Sequence, residues 1–184
     1  SLGIMLPLTP RSKFSKGNSP FVRYVNCDES HLFMDKVKLN KLAGKGVITP
    51  DHVIRIKDEF LFLDKFTNDD KWLKKLNSGI SQYAKKYSNY FNDNKANKPI
   101  QILDQLPRLF FIEKIGLFIA GFSEKELIIN QDLALANLKT QINASCLGKF
   151  MPLKKEEIFE MEYWSLEQKK LKNSKNKSKT ALIT

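Results

Sequence analysis

A chain of 184 residues with 42% hydrophobic side chains is long enough to bury one core of ordinary size and too apolar to be a disordered polymer. Its formal charge of +11, from 31 Lys and Arg against 20 Asp and Glu, raises a nucleic-acid or polyanion partner. Against that reading, Lys169, Lys170, Lys172, Lys175, Lys177 and Lys179 carry six of those charges in one acid-free stretch, and Arg, the residue of bidentate recognition, is scarce. No apolar run approaches the ~20 residues of a membrane span. Cys27 and Cys146 are too few for a disulfide framework, so two reduced thiols in a cytoplasmic protein are expected. The start, Ser1 to Pro7, lacks the basic front and cleavage site of a secretory signal, and the absence of an initiator Met suits a fragment.

Residues 1–20, with Pro7, Pro10, Pro20, Gly3 and Gly17, read as an irregular connection. Phe21 to Val25 alternates and predicts a strand, and a helix fits from about Ser30 to Leu42 with Gly44 as its stop. Thr49, Pro50 and Asp51 form a helix-start signal in a turn. The alternation of Val53 to Lys57 then predicts a strand leaving that turn. Trp72, Leu76, Ile80, Tyr83, Tyr87 and Phe91 recur at helical steps and predict a long amphipathic helix over about 68–91, with Lys74, Lys75, Lys85 and Lys86 on its wet side. Arg108 to Ile112 and Leu117 to Gly121 read as two apolar strands joined by a tight turn. Ser123 and Glu126 form a capping box for a helix to about Leu147, stopped by Gly148. A last helical stretch runs from Pro152 through Ile158, Tyr163, Trp164 and Leu166 into the lysine-rich linker. Strands interleaved with long helices predict a layered α/β domain over 21–168.

The chemistry-bearing residues are few. His31 and His52 are the only histidines, so a His-rich metal site cannot be assembled within the chain. His31, beside Asp28 and Glu29, reads as part of a helix start. Thr49, Asp51, His52 and Arg55 are the candidate contact set: an anion or substrate could rest on the helix-start amides with Arg55 nearby. The plainer account, favoured here, is that these residues shape a turn. No Gly-x-Ser-x-Gly occurs, and Tyr83 is followed four residues on by Tyr87, not by the Lys of a dehydrogenase Tyr-x-x-x-Lys. No catalytic residue is assigned.

Three segments carry a family resemblance. Glu160 to Gln168, the basic linker and Lys179 to Thr184 together resemble the junction in bifunctional class II aldolase/short-chain dehydrogenase proteins, similar to rhamnulose-phosphate aldolase fused to an alcohol or lactaldehyde dehydrogenase. Gly46 to Arg55 resembles their Gly-Val-Val-Thr-Pro-Asp-His segment, and Pro107 to Gly121 a further marker. The resemblance implies a three-layer class II aldolase/adducin-like α/β domain, in degenerate copy, with a C-terminal helix. It also implies a linker at 169–178 and, at 179–184, the first strand of a missing Rossmann domain, whose Gly-rich loop would follow Thr184. Ile115 stands where active aldolases place a zinc-binding His, and their His-x-His pair has no counterpart.

On this resemblance the segment itself would be non-catalytic and would hold no cofactor. Zinc and NAD(P) would belong to the parent polypeptide, a sugar-phosphate aldolase and dehydrogenase of carbohydrate (rhamnose-like deoxysugar) catabolism. Its partners would be its own upstream aldolase and downstream dehydrogenase domains, with homo-oligomer contacts as a further expectation, and neither membrane nor nucleic acid. A small basic module for nucleic acid or another polyanion is the competing reading, separable by salt-dependent retention on DNA. From Lys172 onward the lysine-rich chain offers too little apolar surface to dock firmly; residues 156–171 offer more.

Overall fold

The computed structural model describes residues 20–25, 46–63, 66–67, 69–148 and 150–165. The predicted helix at 30–42, His31, Cys27, the linker and residues 179–184 lie outside the described residues. In chain order the elements are β1 (Phe21–Val25), α1 (Pro50–Ile56), β2 (Leu61–Leu63), α2 (Asp70–Asn94), β3 (Leu109–Ile112), β4 (Gly116–Gly121), α3 (Glu124–Leu147) and α4 (Lys155–Glu162).

Among the described residues the sheet has four strands in the order β1-β4-β3-β2. β1 and β3 flank β4 antiparallel, while β2 runs parallel to β3 after a crossover through α2. Both faces of β3 and β4 are buried, which is why they read as continuous apolar runs instead of alternating ones. The pleat still sorts their side chains. Leu109, Phe111, Leu117 and Ile119 enter one core with Val25, Leu127, Ala134 and Leu138. Phe110, Ile112, Phe118 and Ala120 enter the other with Trp72, Leu76 and Ile80 of α2. Helix, sheet and helix therefore form the three layers expected of the α/β domain, with α3 against β4 and β1, and α2 against β2.

Local signals explain the boundaries. The Asp69 side chain accepts from Trp72 N at 2.9 Å and starts α2, whose buried residues match the predicted stripe. Ser123 Oγ accepts from Glu126 N at 3.1 Å, and the Glu126 carboxylate accepts from Phe122 N at 3.0 Å. The first satisfies an orphaned amide of the first turn of α3, and the second reaches back to the residue before its N-cap. In the β3–β4 turn, Lys114 and Gly116 both have positive φ, and a Cβ on Gly116 would lie 3.2 Å from the Tyr24 ring. Glycine is required there twice over, by conformation and by contact.

One predicted strand is a helix. Residues 50–56 wind as α1, and the short strand follows at Leu61–Leu63. Alternation would have placed Val53, Arg55 and Lys57 on one face. The observed helix instead buries Val53 and Ile56, three residues apart, against α3 and α4. The Thr49-Pro50 start signal and this packing override the β-propensity of Val53, Ile54 and Ile56. The last helix begins at Lys155, not at Pro152, and Trp164, expected to dock, is half exposed. Among the described residues no helix is long and apolar enough to cross a membrane.

Candidate functional site

The helix-start turn is built as a packed corner. Thr49 makes no side-chain cap to the α1 amides; its Oγ1 lies 2.7 Å from His52 Nδ1. His52 is buried, Asp51 occupies the second helical position and Arg55 lies in the last turn, half-buried. The fold thus brings Thr49 and His52 into contact while Arg55 sits a turn further along.

Ile115 closes the β3–β4 turn. Its N–H donates to Ile112 O at 3.0 Å, and its carbonyl accepts from the Tyr24 hydroxyl at 3.1 Å. Its side chain packs with Val22 and Phe122 against the α2-side core. A metal needs a lone pair, and this position offers only carbon. Among the described residues no three His, Cys, Asp or Glu side chains group closely enough to hold a metal ion.

A polar centre lies elsewhere, where α1, α2 and α4 meet. Lys57, at the C-terminus of α1, has φ 61° and ψ 169°. A lysine in that region of backbone space is strained by about 1–3 kcal/mol. Its side chain is buried, with Nζ 3.7 Å from Glu162 Oε1 and 3.7 Å from the centre of the Tyr87 ring. The Tyr87 hydroxyl donates to Glu162 Oε1 at 2.7 Å and shares a 2.9 Å hydrogen bond with Tyr163 Oη, which in turn accepts from Leu103 N at 3.3 Å. Burial pushes the Lys57 ammonium down to about 8, the attraction of Glu162 opposing and the charge of Arg108 adding to the fall. Burial pushes the Glu162 carboxyl up, against the pull of Lys57 and the Tyr87 hydrogen bond. Burial likewise raises Tyr163 to about 12.

In front of this centre opens a cleft of about 390 Å³. Asp58 and Glu59 form one wall, Lys155 and Glu156 of α4 another, and Tyr83, Tyr87 and Tyr90 of α2 the apolar part. Lys155 Nζ holds Asp58 Oδ2 and, at 2.7 Å, Glu59 Oε1. Lys86 Nζ reaches Glu59 Oε2 at 2.6 Å, and the Tyr83 hydroxyl donates to Glu59 O at 3.0 Å. Burial alone would raise Glu59, but the two lysine hydrogen bonds outweigh it and hold the carboxyl below its ordinary value.

Apart from Lys57, which the sequence sets beside Asp51, His52 and Arg55, sequence reasoning placed none of these groups in a site. Tyr83 and Tyr87 read as core edge and Lys86 as solvated face, both correct as far as they go. The usable signal was Lys57-Asp58-Glu59, three charges between the apolar Ile56 and Phe60.

The family description "Aldolase class II, second domain" matches residues 8–171. Over 181 residues the chain is 28% identical to YuxG of Bacillus subtilis (strain 168), named as an uncharacterised oxidoreductase; the match covers 95% of this chain and 26% of that protein. The fold is similar to that of YgbL from Escherichia coli, described as a candidate aldolase/epimerase/decarboxylase, with a TM-score of 0.50 at 16% identity, over 77% of this chain and 56% of that one. This chain therefore spans about a quarter of the length of YuxG and little more than half of YgbL.

Proposed function

Because the chain belongs to the class II aldolase second-domain family, we propose that it acts as a non-catalytic, positioning segment of a longer polypeptide. That polypeptide would carry a zinc-dependent sugar-phosphate aldolase site and an NAD(P)-dependent short-chain dehydrogenase site on neighbouring domains, in the catabolism of a rhamnose-like deoxysugar. Two observations support a composite parent: the family is that of aldolases, and the much longer YuxG is named an oxidoreductase.

The observation that carries the non-catalytic reading is Ile115. By the resemblance, this hairpin residue is a zinc-binding His in active aldolases; here it is an aliphatic side chain packed against the core. His52, the one histidine among the described residues, is buried in a different corner, against the Thr49 hydroxyl. The described residues do not fit the metal that the fold family implies. What the domain keeps is the scaffold, whose partners would be the polypeptide's own aldolase and dehydrogenase domains and, in an oligomer, further copies of the chain.

Aldol cleavage tests this reading. Incubated with zinc and a ketose 1-phosphate, the purified chain should release no triose phosphate above the uncatalysed background. Multiple turnovers that disappear in His52→Ala would overturn it.

A further inference from the structure

We propose that the cleft between α2, α4 and the α1–β2 connection binds a small neutral polyhydroxylated ligand, a sugar or polyol without a phosphate. Its volume of about 390 Å³ falls within the range of small-molecule sites and far exceeds the ~30 Å³ share of a water molecule. Its walls carry hydrogen-bonding groups of both kinds. Asp58 is 6% exposed, and its Oδ2 accepts from Lys155 Nζ. Lys86, with a mostly exposed side chain, has ammonium hydrogens to spare after meeting Glu59.

The charges discriminate among ligands. Both lysines of the cleft already hold Asp58 or Glu59, and Asp93 and Glu156 add two further carboxylates. A phosphate would meet surplus negative charge. A free cation would have to compete with Lys155 for Asp58 and Glu59. A hydroxyl group can donate to a carboxylate and accept from an ammonium at once, and the tyrosine side chains of α2 offer ring surface to the C–H face of a sugar.

The site is also held in shape. Glu59 is tied by Lys86, Lys155 and, through its carbonyl, Tyr83. Tyr87 is tied through its hydroxyl to Glu162 and Tyr163. Asp58 follows directly on Lys57, which has a positive φ and a buried contact with Glu162. Backbone strain and perturbed ionisation beside a concave polar surface are the combination that marks binding sites.

Amide chemical shifts of the full chain provide the test, because polyols raise the stability of any protein by exclusion and a melting shift would not discriminate. Methyl glucoside should shift the amides of Asp58, Glu59 and Lys155 saturably, with a Kd of about 1–10 mM. In Lys86→Ala, which alters an exposed side chain, Kd should rise about tenfold. Glucose 6-phosphate and putrescine should each bind more weakly than the glucoside. Linear, unsaturated shifts up to about 100 mM glucoside, tighter binding of either charged probe, or an unchanged Kd in Lys86→Ala would overturn the proposal.

Discussion

Truncation of Glu162 to alanine is expected to destabilise the domain by about 3–5 kcal/mol. Glu162 is 2% exposed and supplies the carboxylate that faces the buried Lys57 ammonium and accepts from Tyr87. Its removal takes from a desolvated cation its nearest counter-charge, leaving only the weaker pull of Asp104 and Asp58, and leaves the Tyr87 hydroxyl without that acceptor. The pair is a poor source of net stability even so, since both ions were taken from water. A Lys57→Met/Glu162→Leu double variant should therefore recover most of the loss. Urea denaturation of the wild type, Glu162→Ala and the double variant compares them; a Glu162→Ala cost under about 1 kcal/mol would show that the pair is already neutral or hydrated.

The same pair gives a pH signature. Lys57 is lowered from 10.5 to about 8 on folding, chiefly by burial. Between those values the unfolded chain holds a proton that the folded chain has released, so the Lys57 contribution to stability rises with pH across the window. Lys57→Met should lack this rise. Denaturation midpoints for the two proteins that run parallel from pH 8 to pH 10.5 would contradict the assignment.

Phe159→Ala is expected to cost about 3–5 kcal/mol as well, by a different route. Phe159 is 1% exposed, stacks on Tyr163 at 4.5 Å between ring centres and meets Tyr90 edge-on at 5.6 Å. It anchors an eight-residue helix, too short to persist without tertiary contacts. Loss of the ring should leave α4 with Ile158 as its main apolar hold and open one wall of the cleft. Trp164→Ala, at a side chain 52% exposed, should change stability by less than about 0.5 kcal/mol. Thermal melts compare them, and similar losses for the two would show that α4 is docked through its C-terminal end instead.

The parts legible in the sequence were those with a local code. The Trp72 to Phe91 stripe, the Ser123–Glu126 box and the apolar pair of strands around Gly116 each carry their structure within a few residues. The Val53 to Lys57 segment misled because a short alternating run fits a strand as well as one turn of helix, and only packing against α3 and α4 decides between them. β2 escaped notice because three residues are too few to show a period. The cleft was invisible for a topological reason. Lys57, Tyr87 and Glu162 are brought together only when α4 returns across α2, with a separation of 75 residues between the hydrogen-bonded Tyr87 and Glu162.

Zinc stoichiometry tests the central claim most directly. The purified chain, dialysed to equilibrium against about micromolar free zinc and then analysed for metal, should hold well under one equivalent, since Ile115 has no donor atom and His52 is engaged with Thr49. One equivalent of tightly bound zinc, lost in His52→Ala, would show that the domain assembles a metal site of its own and is not the positioning segment described above.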